Sequence, residues 1–407
     1  MNIQALRQRF NDVTPMTVGI EEELMLLDAE TLELAPRARE LLRVFAGDPR
    51  FKLELPACQV EVLTPPSPTV AVAMRSLHAA RTDLAQEARA LGMRVAGAGA
   101  HPFAAPLGAL NPGGRYDVMR DRFGVLAEAQ LVCGLHVHVA LGDGDATIAV
   151  HDALRSRLPE LAALAAAAPY YAGRDSGLAS VRPAIAALLP RQGVPPALGS
   201  VEGFAEQLAW GATAGALSDP RRWWWGLRPH PGHGTLEVRV CDTQPDVRSA
   251  GALAGLVHAL VADLADRHGA GELPVPAEGW RIAENGWSAC RDGLEGEMAD
   301  LVSGCSEPTA VRVGRLLDEL RPAADRADCR AELDDARELL DDGGAAARQR
   351  AVGAGQGAVG LAAWLAERFD GPADGRDRGA ERCGSARPRL AAVDEAVVER
   401  VAHEVRA

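Results

Sequence analysis

Apolar and polar residues alternate in several short segments of the first 240 residues, and this period of two predicts β-strands. The predicted strands are residues 17–27, 51–63, 94–99 (ending in a Gly-rich turn), 131–141 and 234–240. Pro56 breaks the second of them into two pieces, because proline has no backbone N–H for a sheet ladder. Each predicted strand has one apolar face and one face that displays polar side chains.

Apolar residues at helical spacing predict helices between and after these strands. The predicted helices are residues 69–91, about 147–166 and about 248–267. Beyond residue 306 the strand pattern is absent and Ala, Arg, Asp, Glu and Leu dominate, which indicates a helical C-terminal portion. We expect one domain over residues 1–370, a flexible linker at 371–389 and a last helix at 390–407. The predicted fold class is α+β, with an antiparallel sheet and helices packed outside it.

Three consecutive glutamates interrupt the apolar run of the first predicted strand. Adjacent carboxylates repel one another, and strands disfavour Glu, so a positive partner is needed to stabilise them. Alternation along a strand projects Glu21 and Glu23 to one face. Glu22 points to the other face, together with Ile20 and Leu24.

Two later strands repeat this display of polar side chains. His136 and His138 share one face of the 131–141 strand, and Glu237 and Arg239 share one face of the 234–240 strand. The opposite, apolar face of the last strand is predicted to carry Leu236, Val238 and Val240.

The broken 51–63 strand adds two carboxylates, and a turn at Pro56 can bring them to one point. The predicted metal ligands are Glu21, Glu23, Glu54, Glu61, His136 and Glu237. This oxygen-rich set suits the hard cations Mg²⁺ or Mn²⁺, and without cations most of the buried acids would protonate. Each motif alone is more often structural: three glutamates form a solvated helix face, and H-x-H is a core feature. Their recurrence in four β-like segments favours a metal site.

Composition narrows the classes of function. The 407 residues are 47% hydrophobic and carry a net charge of −13, which argues against nucleic acid or an anionic membrane as the main partner. No long uncharged apolar stretch and no signal-peptide core are present, so we expect a cytoplasmic protein. Seven scattered cysteines indicate buried free thiols. Lys52 is the only lysine and no phosphate-loop motif occurs, so arginines, backbone N–H groups or metals must hold any phosphate.

Residues 169–182 form a loop-like segment that is rich in polar side chains and glycine. We interpret it as a lid on the substrate or phosphate side of the site, in which Arg182 contacts an anion. Arg174, Asp175 and Ser176 are its candidate nucleotide-binding residues. The alternative is a surface loop whose tyrosines pack on the core.

Three further motifs are better explained as structural. W-W-W at 223–225 is typical of core packing, although a tryptophan there could also stack on adenine. G-Q-G-A-V-G at 355–360 lies in helical sequence rather than in the strand–turn–helix context of a dinucleotide fingerprint. His230 and His233 are interpreted as loop residues.

Five motifs in this order resemble the glutamate–cysteine ligase type 2 family, also called ATP-dependent carboxylate–amine ligases. They are G-I-E-E-E, Q-V-E-V-L-T-P-P, C-G-L-H-V-H-V, P-Y-Y-A-G-R-D-S-G-L-A-S-V-R and R-P-H-P-G-H-G-T-L-E-V-R-V-C-D-T-Q-P. The resemblance covers roughly residues 15–300. It implies a catalytic domain of glutamine synthetase type, in which the sheet forms a funnel with ATP at one mouth, the amino-acid substrate at the other and metals between them.

The resemblance also implies roles for individual residues. One metal is expected near Glu23, Glu54 and Glu61, and another near Glu21, His136 and Glu237. Arg239 matches the arginine that faces the transferred phosphoryl group. The implied reaction joins an amino-acid carboxylate, glutamate by default, to an amine such as cysteine, through an acyl phosphate and with ADP and phosphate as products. A homodimer is a further expectation from the resemblance.

The sequence departs from the family pattern at two places. The usual E-N-R-W reads E-N-G-W at Glu284–Trp287, which removes an arginine, and Tyr170–Tyr171 replaces a Phe-Trp pair. The Gly286 change leaves the substrates and the level of activity open. Two other hypotheses therefore stand beside the ligase: a metal-dependent hydrolase that activates water at the same dinuclear site, and a catalytically weakened binding protein.

Overall fold

A computed structural model describes residues 2–215 and 223–371. The strands are β1 Val18–Asp28, β2 Phe51–Leu53, β3 Gln59–Leu63, β4 Met93–Ala96, β5 Gly134–Ala140, β6 Tyr170–Tyr171, β7 Arg174–Asp175, β8 Leu227–His230, β9 Thr235–Asp242, β10 Glu297–Ala299 and β11 Ser306–Pro308. The helices are α1 Ile3–Asn11, α2 Ala38–Leu41, α3 Val70–Ala90, α4 Arg115–Phe123, α5 Val125–Glu128, α6 Gly144–Leu154, α7 Leu158–Ala165, α8 Arg182–Ala186, α9 Val201–Thr213, α10 Val247–Ala270, α11 Gly279–Asp292, α12 Thr309–Glu319, α13 Arg321–Arg326, α14 Arg330–Asp341 and α15 Gly344–Phe369.

The main sheet is antiparallel throughout and open, with strand order β2-β3-β1-β5-β9-β8. Strand β4 pairs with the second half of β1, so β4 and β5 share one edge of that long strand. The predicted α+β class with an antiparallel sheet and helices outside it is confirmed. Residues 51–63 do form two strands, as the position of Pro56 predicts.

The apolar face of the sheet packs on two long helices. Ile20 and Leu24 of β1 belong to the same buried cluster as Leu77 of α3 and Leu253 of α10. Helix α14 then covers α10 from outside, where a Cβ on Gly255 would lie 2.4 Å from the Glu332 Cβ, so the two helices approach through a glycine. The other face of the sheet is left to the polar side chains.

The two long helices begin and end at residues with the expected capping chemistry. Thr69 caps α3, and Asp246 caps α10 by accepting a hydrogen bond from the Ser249 N–H. Gly271 ends α10 in the left-handed conformation. Helix α10 is long and apolar enough to cross a membrane by composition, but 83% of its most apolar window is buried in the fold, as in a core helix.

Strand β9 contains a β-bulge beside the polar face of the sheet. Leu135 pairs with Cys241 and Val137 with Val238, so β9 has one extra residue opposite His136. The prediction that Val240 shares the apolar face of β9 is wrong, because the bulge turns this residue into a cavity wall while Cys241 takes the place in the core.

Other segments refine the sequence predictions. The helix predicted at 147–166 is two helices, α6 and α7, joined by a 3₁₀ turn. The glycine-rich segment 355–360 lies in α15, which kinks at Gly357. After residue 308 the described chain is helical, and the described residues belong to one compact unit. The predicted linker, apart from Gly371, and the predicted last helix at 390–407 lie outside the described residues.

Candidate active site

The predicted ligands come together across adjacent strands of the polar face. Glu23 of β1 is directly opposite Glu61 of β3, and Glu21 is directly opposite His136 of β5. On the other side of β5, His138 is opposite Glu237 of β9. Side chains at such paired positions have Cβ atoms about 4.5–5.5 Å apart, so the pairing alone builds a continuous row of carboxylates and imidazoles.

Glu21 lies at the centre of this row and contacts both histidines. Its Oε2 is 3.4 Å from the His136 Nδ1, and its Oε1 is 3.4 Å from the His138 Nε2. Burial opposes ionisation of Glu21, but hydrogen bonding to His136 and His138 outweighs it and lowers the pKa of this carboxyl. Burial and the nearby Arg239 lower the pKa of His136 to about 4, so this imidazole is neutral and able to ligate a metal.

Glu237 is paired with two arginines. The Arg228 guanidinium, from the neighbouring strand β8, donates to both carboxylate oxygens over 2.6 and 3.1 Å, and the Arg239 Nη1 also donates to Oε1. The Glu237 side chain is fully buried. Burial disfavours the ionised form, but Arg228 and Arg239 outweigh it and hold the pKa of Glu237 well below its usual range.

The remaining three acids lack a comparable partner. Glu23 accepts a 2.6 Å hydrogen bond from the Gly134 N–H, yet burial and the nearby Glu54 raise its pKa to about 7. Burial also raises the pKa of Glu54, whose Oε1 is 3.8 Å from the Arg115 Nη2. Glu61 is buried beside three other glutamates, and its pKa is well above the ordinary value. Among the described residues, no arginine or lysine forms an ion pair with Glu23 or Glu61.

The donor atoms fit divalent cations in two groups, each with all atoms within 4.8 Å of one another. One group is Glu21, Glu61 and His136, and the other is Glu21, His138 and Glu237. The sequence-based grouping differs, since it placed His136 with Glu237 and left His138 out. Glu23 and Glu54 lie beside the first group rather than in it.

His138 has the features of a metal ligand. Its Nδ1 is 2.9 Å from the Thr235 Oγ1, and a proton shared there leaves the Nε2 lone pair directed at Glu21 and Glu237. The buried Nε2 has no hydrogen-bond partner among the described residues, and the same holds for the His136 Nε2. A cation would satisfy both atoms, so the residues present fit a metal.

A cavity of about 420 Å³ opens beside the first group of ligands. Glu23, His136, Arg182 and Arg239 line its polar end. The Arg182 guanidinium donates to the main-chain carbonyls of Arg239 and Val240 over 3.0 and 3.2 Å, which fixes it next to the β9 bulge. Both predicted catalytic arginines therefore lie at the metal cluster.

The structure places the other predicted loop residues away from this cluster. Arg174 and Asp175 form the exposed strand β7, and the Asp175 carboxylate pairs with Arg350 of α15 at 3.1 Å. The Ser176 hydroxyl donates to the Pro169 carbonyl over 2.8 Å and so stabilises the turn. None of the three lines the cavity.

Glu22 has a partner of its own on the opposite face of the sheet. Its carboxylate accepts two hydrogen bonds from the buried guanidinium of Arg81 in α3, one of them 2.7 Å long. Arg81 also donates to the Gln244 carbonyl over 3.1 Å and lies 4.7 Å from the Phe369 ring. The middle glutamate is thus a structural residue, as strand alternation predicts.

Several residues near the site were not identified from sequence. Arg228 lies on the short strand β8, whose Pro229 hides the strand pattern. His230 is also in β8 and stacks on His233 at 4.3 Å, and both imidazoles contact His138 edge-on, so they are not ordinary loop residues. The H-x-H spacing was the one available signal for His138.

The tryptophan run and the E-N-G-W segment have distinct places. Trp223 is buried against Phe204, whereas Trp224 lines the cavity. Gly286 lies in α11, where an added Cβ would meet nothing within 4 Å, and it is not part of the cavity wall.

Comparison with known proteins identifies relatives along most of the chain. The sequence profile of glutamate–cysteine ligase family 2 matches residues 17–361. A putative glutamate–cysteine ligase 2-3 of Rubrobacter xylanophilus is 38% identical over 359 residues, which cover 87% of this chain and 97% of that protein. A putative glutamate–cysteine ligase 2 of Thermobifida fusca is 34% identical over 84% of this chain and 88% of its own length.

Two solved structures share the fold at low sequence identity. Glutamate–cysteine ligase of Francisella tularensis, solved in complex with AMP, superposes with a TM-score of 0.65 at 13% identity, over 89% of this chain and 91% of that one. A bifunctional glutathione synthetase of Pasteurella multocida gives a TM-score of 0.64 at 16% identity, over 92% of this chain and 54% of that one.

Proposed function

The chain belongs to glutamate–cysteine ligase family 2, and from this membership and the ligand cluster we propose that it is an ATP-dependent ligase that forms an amide bond between a carboxylate and an amine. One observation carries the proposal: the row of buried carboxylates and imidazoles lies next to Arg182 and Arg239 at the closed end of a cavity. Cations for phosphate and space for an organic substrate thus adjoin each other.

The proposed reaction has two steps. A substrate carboxylate oxygen attacks the γ-phosphorus of ATP, the bond from that phosphorus to the β-phosphate oxygen breaks, and an acyl phosphate and ADP form. The amine nitrogen then attacks the acyl carbon, the bond from carbon to the phosphate oxygen breaks, and the proton released from nitrogen passes to solvent. Neither step needs a covalent protein nucleophile.

The arginines of the site supply fixed positive charge for the first step. Arg239 is held by Glu237, and its Nη1 is also 3.2 Å from the His136 Nδ1. Arg182 is held by the main-chain carbonyls of β9. Charges that are already positioned stabilise the transferring phosphoryl group without reorganisation during the reaction.

The metal ligands proposed for this chemistry are Glu21, Glu61 and His136 for one ion, and Glu21, His138 and Glu237 for another, with Glu23 and Glu54 close to the first. Divalent ions bound there neutralise phosphate charge and orient the triphosphate. The chain's own contribution is to present neutral imidazoles and carboxylates in a buried, preformed arrangement.

The direct test is ADP release by the full chain with ATP and Mg²⁺ across a panel of carboxylates and amines that includes glutamate and cysteine. A carboxylate labelled with ¹⁸O should transfer one label into the inorganic phosphate, because the acyl oxygen leaves with phosphorus. ADP release that needs no carboxylate, or phosphate without label, would contradict the acyl-phosphate route. Activity without ATP would instead support a hydrolase.

A further inference from the structure

The cavity beside the metal ligands changes character along its length. Its polar end carries the charged groups already described, but most of the remaining wall is apolar. The apolar wall residues are Leu55, Met119, Val132, Ala186, Leu189 and Trp224. Helix α8 connects the two regions, since it begins at Arg182 and its next turn presents Ala186 to the cavity.

Polar side chains in the apolar part are bound to the protein itself. The Gln59 Nε2 donates to the Val132 carbonyl over 3.1 Å, and the Gln130 Nε2 donates to the Ile185 carbonyl over 3.2 Å. Their amide N–H groups therefore stabilise the wall. The apolar part is built to exclude water rather than to hold a second charged group.

The described cations of the cavity are committed elsewhere. Arg182 and Arg239 face the metal ligands. Arg115 donates from Nη2 to the Leu53 carbonyl over 2.8 Å and to the Tyr116 hydroxyl over 2.9 Å, and it lies 3.8 Å from Glu54. An acceptor with a carboxylate beside its amino group would bury that charge against an apolar wall, which is unfavourable without a dedicated cation.

Trp224 is the largest apolar surface of this wall. Its ring lies 5.7 Å from the Phe123 ring in an edge-on arrangement, and the Arg191 guanidinium lies 5.3 Å from its centroid on one face. Contacts of this kind fix the ring in place, so it offers a rigid surface to an aliphatic or aromatic group.

We propose that the acceptor is a primary amine with an aliphatic or aromatic substituent and without a carboxylate next to the amino group, and that this substituent lies against Trp224. The inference rests on the proposed ligase function and names the substrate class of the same site. It differs from the family's default acceptor, cysteine. The other molecule that could lie against Trp224 is the adenine of ATP, and the experiment separates the two.

The test is a calorimetric binding titration of the full chain with Mg²⁺ and a non-hydrolysable ATP analogue present. The probes are 2-phenylethylamine and phenylalanine, which differ only by the carboxylate, together with cysteine. We expect 2-phenylethylamine to bind at least about tenfold more tightly than either amino acid. Tighter binding of cysteine or phenylalanine, or equal binding of the three, would overturn the proposal.

Variants locate the binding and control for folding. Trp224→Ala should weaken 2-phenylethylamine about tenfold and leave the affinity for the ATP analogue unchanged. Trp280→Ala is the matched control, because this ring is 69% exposed on α11 and should change neither affinity. Ala187→Arg, at an exposed position of the cavity rim, should reverse the preference in favour of phenylalanine. Weaker binding of the ATP analogue alone to Trp224→Ala would place adenine in the cavity and overturn the proposal.

Binding and turnover report separately on the two levels of inference. If no pair of substrates releases ADP, the ligase function fails whatever the amine affinities are. If glutamate and cysteine release ADP while 2-phenylethylamine neither binds nor reacts, the ligase stands and the apolar acceptor is wrong.

Discussion

Replacing Glu237 by glutamine removes one negative charge from the most buried point of the site. The carboxylate accepts hydrogen bonds from Arg228 and Arg239, and its side chain has no solvent exposure. Glutamine keeps the shape, but its amide NH₂ meets guanidinium donors, so one favourable contact becomes a donor–donor contact. We therefore expect both a lower free energy of unfolding and a loss of activity.

The size of the stability loss follows from the burial of the pair. Breaking a buried, hydrogen-bonded ion pair on one side costs about 3–5 kcal/mol, because the partner charge stays buried without compensation. Typical domains are stable by about 5–15 kcal/mol, so Glu237→Gln should still fold, with a clearly lower Tm. ADP release should fall at least about 100-fold, since both a metal ligand and the anchor of Arg239 are lost.

A second buried ion pair provides the matched control. Glu160 is 1% exposed and is held by Arg312 at 2.8 Å and Arg157 at 3.2 Å, and it is not among the residues lining the cavity. Glu160→Gln should cost a comparable amount of stability while ADP release per folded molecule stays near that of the wild type. Differential scanning calorimetry and a coupled ADP assay measure the two effects on the same preparations.

The double variant Glu237→Gln with Arg228→Met decides between a structural and a catalytic role. Removing both partners of a buried pair is often neutral for stability, so the Tm should recover in part. Activity should remain lost, because the metal ligand is still absent. Recovery of ADP release together with Tm would show that Glu237 serves only as the counterion of Arg228, and it would refute the catalytic role.

Three further predictions concern the surroundings of the metal ligands. In Gly134→Ala the new Cβ would lie 2.2 Å from the Arg182 Nη2, so the guanidinium should move and ADP release should fall at a nearly unchanged Tm, measured by steady-state kinetics and thermal unfolding. Thr235→Val removes the hydroxyl that orients His138 and should weaken Mn²⁺ binding about 10–100-fold by electron paramagnetic resonance titration. The pKa of Glu23 rises from 4.5 to about 7 on folding, so its stabilising contribution is complete below pH 4.5 and is lost as pH rises through 7. Since bound Mn²⁺ offsets the ionised carboxylate, the increase in Tm caused by Mn²⁺ should be larger at pH 8 than at pH 5.5, and Glu23→Gln should reduce that difference.

Strand alternation predicted much of the site because it depends only on local geometry. It separated Glu22 from Glu21 and Glu23, and it directed His136 and His138 to the same face, as the structure has them. The turn at Pro56 likewise indicated that two short strands follow one another.

What the sequence could not supply depends on pairing between distant segments. The partner of Glu237 is Arg228, and that contact exists only because β8 pairs with β9 in one particular register. The β9 bulge turns Val240 into the cavity and is invisible in a pattern of alternating residues. The lid assignment of Asp175 failed to reach the site for the same reason, since its partner Arg350 lies 175 residues away in sequence.

The distribution of counterions explains how one strand can carry three adjacent acids. Glu22 has its cation built into the fold in Arg81, on the face where no ligand can reach. Glu21 is stabilised by two imidazoles, whereas Glu23 has only the Gly134 N–H and distant arginines. A buried carboxylate without a cation protonates or recruits one, so the charge deficit of the site is concentrated where Glu23 meets Glu61. An external divalent ion should therefore bind first on that side of the row, and the ligands around Glu237, which already hold two arginines, should take a cation second.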